Sequence, residues 1–174
     1  MTKTRIFKGK TVDGVYHFNY NKVLFMKFTD GTGFRITLAG ATGEFESRLL
    51  YSWYDTPKKF EIKFRNAVII RRLEQGGNSG EYPSGKESNT AKFCDGKIIR
   101  GFITAEIDKV FIVAFADGTG LRVMIDNEEP PKLTYGWFGK ERFQRMVDYH
   151  TNQGIHSEDH LSFYKVHGRR QRVR

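Results

Sequence analysis

Basic side chains are concentrated in two stretches, and their positive charge is the clearest chemical signal in the sequence. The first stretch lies at residues 58–72, and the second is the Arg-rich C-terminus. Lysine and arginine neutralise phosphate groups and can bind nucleic acid without reading its sequence. The formal net charge of +9 favours a polyanionic partner. The predicted nucleic-acid-binding residues are Lys58, Lys59, Lys63, Arg65, Arg71, Arg72, Arg169, Arg170, Arg172 and Arg174.

Histidines near the C-terminus raise the question of a metal site. His156 and His160 are spaced i, i+4, which can place two ligands on one helix face. No motif elsewhere marks a further ligand, so we predict no metal and no other cofactor. We interpret His150, His156, His160 and His167 as surface or helix-end residues. The single cysteine, Cys94, has no disulfide partner and no pattern typical of a reactive thiol.

The tetrapeptide DGTG occurs at residues 30–33 and again at residues 117–120. An Asp followed by a Gly-Thr pair after a strand resembles the phosphate loop of sugar kinases and actin-like ATPases. Those folds have two much larger α/β lobes, whereas this chain is short and strand-rich. We therefore interpret both copies as hairpin turns, in which Asp30 and Asp117 bond backbone N–H groups. No catalytic residue is predicted, and the chain is interpreted as a non-enzymatic protein.

Both DGTG motifs belong to a longer internal repeat. Residues 8–37 and 95–124 align without gaps at an offset of 87, with eleven identities in thirty positions. After a three-residue deletion, YSWY at residues 51–54 reappears as YGWF at residues 135–138. Such self-similarity predicts two tandem units. The predicted organisation is a basic β-rich unit at 1–76, a Gly/Ser-rich linker at 77–91, a near-neutral second unit at 92–168 and an Arg-rich tail at 169–174.

The repeated aromatic segment has two interpretations. Stacking on a nucleic-acid base contributes ~1–3 kcal/mol per base. Core packing is preferred, because both copies keep these residues although their surrounding charge differs. The residues concerned are Tyr51, Trp53, Tyr135 and Trp137.

Strands are predicted to carry most of each unit. Alternating and apolar runs predict strands at residues 9–18 and 22–28, followed by the DGTG turn and a third strand. The run VFIVAFA at residues 110–116 is apolar on both faces, so we expect it to be covered on both sides. The predicted core residues are Val23, either Phe25 or its neighbours Leu24 and Met26, and Phe28, Trp53, Val110, Ile112, Phe115 and Trp137.

One helix is predicted near the end of each unit. Phe143, Met146, Val147 and His150 form one apolar stripe of a helix. In the first unit, residues 55–64 fit a helix capped by Thr56 with Pro57 in its first turn, although their alternation also fits a strand. Closing strands are expected at AVIIRRL (67–73) and HLSFYKV (160–166).

These elements predict an α+β, β-rich fold of two tandem units, each a small antiparallel sheet or barrel with one helix. The stretch DGKIIRGFITAEIDKVFIVAFADG at residues 95–118 resembles the central strands of small SH3-like or Sm-like barrels. It is also similar to uncharacterised small β-domains encoded by bacteriophages. The resemblance implies binding of RNA, DNA or peptides, and it implies a viral accessory role. It assigns no binding residue.

The charge is divided unequally between the units. Residues 1–76 contain fourteen Lys and Arg against seven Asp and Glu, whereas residues 92–168 contain ten against eleven. Two repeats with opposite charge are not expected to use equivalent faces on one partner. The leading hypothesis is a non-enzymatic nucleic-acid-binding accessory protein that contacts phosphates through its first unit and its tail.

Two alternatives remain open at this point. The first is a protein–protein module, either a virion component or an inhibitor of a host factor, whose protein partner contacts residues 92–168. The second is a nucleotide-binding or nucleotide-cleaving protein with a pocket between the units. No run approaches the ~18 apolar residues of a membrane span. We therefore expect a cytoplasmic protein, in the host cytoplasm if it is viral, that has no membrane partner.

Overall fold

The computed structural model describes residues 3–18, 22–39, 47–74, 89–126 and 131–152. They form two four-stranded antiparallel sheets, each followed by a helix. The strands are β1 (Val12–Phe18), β2 (Val23–Phe28), β3 (Gly33–Ala39), β4 (Arg48–Tyr54), β5 (Ile99–Ala105), β6 (Val110–Phe115), β7 (Gly120–Asp126) and β8 (Lys132–Phe138). The helices are a 3₁₀ helix (Lys3–Phe7), α1 (Pro57–Glu74), α2 (Asn89–Cys94) and α3 (Lys140–Thr151).

Each strand of the first sheet has a counterpart in the second sheet. Strands β5, β6 and β7 begin and end 87 residues after β1, β2 and β3. Strand β8 follows β4 by 84 residues, as the three-residue deletion requires. The strands lie in the orders β1-β2-β3-β4 and β5-β6-β7-β8. This confirms a β-rich fold of two tandem units, but the barrel alternative is wrong, because neither sheet closes within the described ranges.

The predicted borders of the units are only partly covered by the structure. Helix α2 begins at Asn89, inside the predicted linker at 77–91. Residues 75–88 and 153–174 lie outside the described residues, and so do most of the linker, the closing strand expected at 160–166 and the Arg tail. Those parts of the predicted organisation stay predictions.

The two sheets pack against each other and share one hydrophobic core. The ring of Phe34 in β3 lies 5.5 Å from that of Phe102 in β5 and 5.8 Å from that of Phe111 in β6. Every residue of β6 is buried, which confirms that this strand is covered on both sides. The predicted core is largely confirmed, although Val23, Trp53 and Trp137 are half-buried and pack against core residues.

A reciprocal set of backbone hydrogen bonds joins the two units. The Val12 N–H donates to the Lys97 carbonyl at 2.8 Å, and the Ile99 N–H donates to the Lys10 carbonyl at 2.9 Å. The two bonds are equivalent under the repeat: Val12 corresponds to Ile99, and Lys97 corresponds to Lys10, at the offset of 87. Thr11 and Ile98 form an antiparallel bridge between them. The units are therefore related by an approximate two-fold relation, like the halves of a dimer.

The first helical segment of each unit packs on the other unit. The 3₁₀ helix lies against β5, and α2 lies against β1 and β8. Phe7 at the end of the 3₁₀ helix is fully buried, with its ring 5.3 Å from Phe28 and 6.5 Å from Phe102. Each unit thus contributes its first helical segment to the part of the shared core that lies against the other unit.

Helix α1 covers the outer face of the first sheet. Thr56 caps it, since its Oγ1 accepts a hydrogen bond from the Lys59 N–H at 3.2 Å, and Pro57 is its first residue. Phe60 and Phe64 pack on Phe25 of β2, with ring centres 5.8 and 5.4 Å away. The helical alternative for this segment is confirmed.

The closing strand expected at residues 67–73 is wrong, because these residues continue α1 to Glu74. The apolar run at residues 67–73 fits the pattern of a strand as well as that of a helix. It contains no Gly or Pro that would end α1 before it. Side chains at helical spacing from Phe60 instead continue the packed stripe with Ala67 and Val68. In the second unit, the predicted helix is confirmed: α3 buries Phe143, Met146, Val147 and His150.

In each unit, a phenylalanine of the long helix packs on the last glycine of the DGTG motif, Phe60 on Gly33 in the first unit and Phe143 on Gly120 in the second. A Cβ on Gly33 would lie 2.5 Å from the Phe60 ring and 2.3 Å from the Met26 carbonyl oxygen. A Cβ on Gly120 would lie 2.0 Å from the Phe143 ring and 2.7 Å from the Val113 carbonyl oxygen. Any side chain at these two positions would push the helix away from its sheet.

We therefore expect Gly33→Ala and Gly120→Ala each to destabilise the protein by about 1–3 kcal/mol, the usual cost of overpacking a core. Gly136→Ala is the matched control, because the nearest atom to its added Cβ is 4.0 Å away. Urea unfolding followed by circular dichroism measures the difference. Unchanged midpoints for both core variants would contradict the described packing of helix on hairpin.

Candidate functional site

The predicted basic residues of α1 form an exposed row on the outside of the first unit. Lys58, Lys59, Lys63 and Arg65 are all exposed, whereas Phe60 between them is buried. The structure therefore places four of the ten predicted site residues on the solvent-exposed side of α1, with Lys58 and Arg65 along one line of the helix and Lys59 and Lys63 along another, about a third of a turn away. Because the apolar stripe of α1 faces the sheet, this surface is available to a partner.

Two residues of this row already have acidic neighbours. Lys59 Nζ lies 2.9 Å from Asp55 Oδ1, and Arg65 forms an ion pair with Glu61. Among the described residues, no ion pair involves Lys58 or Lys63. Lys58 and Lys63 are therefore the least compensated charges of the row.

The other predicted basic residues are less well placed by the structure. Arg71 and Arg72 lie within α1, but only their backbone is described. Arg169, Arg170, Arg172 and Arg174 lie outside the described residues.

The DGTG motifs are closed turns whose carboxylates are occupied within the chain. Asp30 Oδ1 accepts hydrogen bonds from the N–H of Thr32 at 3.0 Å and from its hydroxyl at 2.6 Å. Lys10 forms an ion pair with the other oxygen of Asp30. Partial burial raises the pKa of Asp30, but the hydrogen bonds from Lys10 and Thr32 outweigh it and lower the pKa to about 2.

The second copy repeats this arrangement with Lys97, Asp117 and Thr119. Its carboxylate behaves alike: burial raises the pKa of Asp117, but the hydrogen bonds from Lys97 and Thr119 outweigh this and lower the pKa to about 2. The predicted Asx-turns are confirmed in both units. The carboxylates of both turns are engaged by contacts within the chain.

The repeated tryptophans are half-buried and pack on other aromatic rings. The Trp53 ring lies 5.3 Å from Phe34, 5.4 Å from Phe102 and 5.7 Å from Phe7. It therefore contacts rings of both units at the junction of the sheets. The Trp137 ring stacks on Phe93 at 4.6 Å.

Neither cysteine chemistry nor metal binding is indicated by the described residues. Cys94 is buried, and this burial raises the pKa of its thiol to about 12, which agrees with an unreactive side chain. No group of three metal-binding side chains occurs in the described ranges. His156, His160 and His167 lie outside those ranges. Of the two interpretations of His150, the helix-end one is confirmed: it lies in the last turn of α3 and is only 2% exposed.

Arginines converge on a second surface, which the sequence did not single out. Arg122 of β7 and Arg142 of α3 both lie against the Phe138 ring, with guanidinium carbons 4.8 and 5.2 Å from its centre. Burial, followed by the charge of Arg142, lowers the pKa of Arg122. A cavity of about 270 Å³ is lined by Arg122, Phe138, Arg142, Arg145, Met146 and Tyr149, which we call the arginine pocket.

A chain of side chains fixes one arginine of this pocket. Arg122 Nη1 lies 3.2 Å from His150 Nε2, and His150 Nδ1 bonds the carboxylate of Glu106. Arginine can only donate, so Nε2 must accept and the proton must sit on Nδ1, which donates to Glu106. His150 is therefore the neutral Nδ1–H tautomer in this arrangement, and it orients Arg122.

Glu106 itself lies in a strained turn between β5 and β6. Glu106, Ile107 and Asp108 all have positive φ, between 51° and 59°. Non-glycine residues in this region cost about 1–3 kcal/mol each and persist where their surroundings hold them. The Asp108 carbonyl accepts the Leu49 N–H at 2.7 Å, and its carboxylate accepts the Tyr51 hydroxyl at 3.3 Å. The turn is thus held by the first unit on one side and by α3 on the other.

The arginine pocket belongs to the second unit alone. When Phe60 is matched with Phe143, Ala67 of α1 occupies the position of His150 and cannot orient an arginine. Arg35, the counterpart of Arg122, instead donates to the Ser52 hydroxyl at 3.4 Å. The repeated arginine was visible in the sequence. Its different partners in the two units depend on tertiary contacts.

No protein-family model, curated protein or solved structure matches the chain. Within the described part of the chain, no helix is long and apolar enough to cross a membrane. The geometry and charge of the described residues are therefore the basis for a proposed function.

Because Trp53 packs against rings of both units, we expect Trp53→Ala to cost about 3–5 kcal/mol of stability. The free energy of unfolding from urea titration measures this loss. Nucleic-acid binding by the variant below its unfolding transition should match that of the unaltered chain. A variant that kept its stability but lost binding would show that Trp53 stacks on a base.

Proposed function

We propose that the protein binds nucleic acid without chemical turnover, by contacting phosphates with the exposed row of α1 and with the Arg tail. The observation that carries the proposal is the exposure of Lys58, Lys59, Lys63 and Arg65 on the solvent side of a helix whose apolar stripe packs on the sheet. Such a surface can approach a phosphate backbone without disturbing the core.

The charge of α1 supports this function. Its eighteen residues include six basic and two acidic side chains. Lys58 and Arg65 are seven residues apart, which corresponds to about 10.5 Å along a helix axis. Duplex DNA presents one negative charge per ~1.7 Å of its axis. The two ends of the row can therefore contact different phosphates of one duplex.

The existing ion pairs do not prevent such contacts. The Lys59–Asp55 and Arg65–Glu61 pairs are exposed, and exposed pairs contribute only about 0–1 kcal/mol. A phosphate can replace either acidic partner at little cost. Lys58 and Lys63 need no exchange, so they are the primary contacts in this proposal.

Contacts of this kind carry no base information. The proposal therefore predicts binding of mixed-sequence strands and gives the protein an accessory role, as the resemblance to phage-encoded β-domains implies. A protein–protein module acting through residues 92–168 is the alternative. A nucleotide pocket between the units is the second alternative, and the arginine pocket does not provide it, because that pocket lies within the second unit.

The test is fluorescence polarisation with mixed-sequence DNA and RNA at several salt concentrations. For the unaltered chain, log K should fall linearly with log salt, and the Lys58→Glu/Lys63→Glu variant should lower that slope by ~0.7–0.9 for each lost phosphate contact. Removal of residues 169–174 should lower it further. Charge reversal weakens attraction for every sequence, so all probes should respond alike.

The matched control is Lys92→Glu/Lys140→Glu, which makes the same charge change at exposed residues of the second unit. This control should leave the slope nearly unchanged. Absence of binding at about 50 mM salt, or equal slopes for all these variants, would contradict the proposal. That result would favour the protein–protein module.

A further inference from the structure

The arginine pocket holds more positive charge than the protein neutralises. Arg122, Arg142 and Arg145 line it, and no acidic residue does; Glu106, behind Arg122, already bonds His150. In the described part of the chain, no ion pair involves Arg142 or Arg145. Like charges held together in this way repel one another, and an anion bound between them would remove that repulsion.

The donors of this pocket are partly fixed before any ligand arrives. Arg122 is half-buried and held by His150, which is 2% exposed and anchored in turn by Glu106. Arg142 is held against the Phe138 ring. Preoriented guanidinium groups suit the oxygens of a phosphate, which they can contact bidentately.

Aromatic surface adjoins the cationic groups. Tyr149 lines the same cavity and is 63% exposed, and its ring meets the His150 ring edge-on at 5.1 Å, so exposed aromatic surface borders the arginines. The cavity volume of about 270 Å³ lies just below the ~300–1,000 Å³ usual for pockets of drug-sized ligands. It is a shallow depression open to solvent, so a bound group would keep part of its surface exposed.

We infer that the arginine pocket binds a single nucleotide, with its phosphate on Arg122, Arg142 and Arg145 and its base on Tyr149. The nucleotide can be free or can be the phosphorylated end of a nucleic-acid strand. This binding is independent of the row on α1, which lies on the other unit. It requires no chemical step.

Isothermal titration calorimetry of the full chain tests the inference with adenosine monophosphate, adenosine and inorganic phosphate. The nucleotide should bind at least about tenfold more tightly than either part alone, since the arginines and Tyr149 act on different halves of it. A short oligonucleotide with a 5′-phosphate, compared with its 5′-hydroxyl form, distinguishes the two sources. Stronger displacement of the nucleotide by the phosphorylated strand identifies the strand end as the ligand.

Variants assign the binding to the pocket. Arg142→Gln/Arg145→Gln should weaken nucleotide binding about tenfold or more, and both residues are exposed, so folding should be retained. Tyr149→Ala should weaken nucleotide binding but leave phosphate binding unchanged. Lys92→Gln/Lys140→Gln removes the same charge elsewhere on the unit and should have no effect.

Two results would overturn the inference. One is nucleotide binding that is undetectable at millimolar concentration or equal in the double arginine variant and the unaltered chain. The other is equal affinity for phosphate and nucleotide with no effect of Tyr149→Ala, which would leave a plain anion site. The Lys58→Glu/Lys63→Glu variant should bind the nucleotide normally, so failure here and failure of the α1 proposal are distinguishable.

Discussion

Backbone hydrogen bonding between residues 9–12 and 96–99 is the constraint on which the rest of the structure depends. A buried N–H or carbonyl must find a partner, and here each unit supplies partners to the other around the Thr11–Ile98 bridge. This arrangement brings the inner faces of the two sheets together and places the 3₁₀ helix and α2 on opposite units. Each unit therefore buries its inner face against the other.

A shared core leaves the two outer faces free to differ. The inner faces must keep aromatic residues such as Phe34 and Phe102 in contact, whereas α1 and α3 each need only one apolar stripe and one phenylalanine on a glycine. Their remaining positions have diverged into a lysine-rich row and an arginine pocket. The strained turn at residues 106–108 links the first unit to α3, because it contacts β4 of the first unit and His150 of α3.

Much of this fold follows from local patterns in the sequence. The repeat, the Asx-turns at DGTG and the stripe of α3 depend on neighbouring residues, so sequence spacing was enough to predict them. The apolar run at residues 67–73 fits a strand and a helix equally well. The packing of Phe60 on the sheet decides for the helix, because Ala67 and Val68 then lie on the same buried side as Phe60. The arginine pocket was missed because Arg122 and Arg142 meet only through tertiary structure, and the near-neutral total charge of residues 92–168 concealed a local excess.

The central claim is that the two units form one cooperative body with a common core. Differential scanning calorimetry of the full chain tests it most directly, through the ratio of the calorimetric enthalpy to the van't Hoff enthalpy. One transition with a ratio of about 1 is expected, because neither unit can lose its partner and keep the common core buried. Two separable transitions, or one unit remaining folded after the other has melted, would contradict the account.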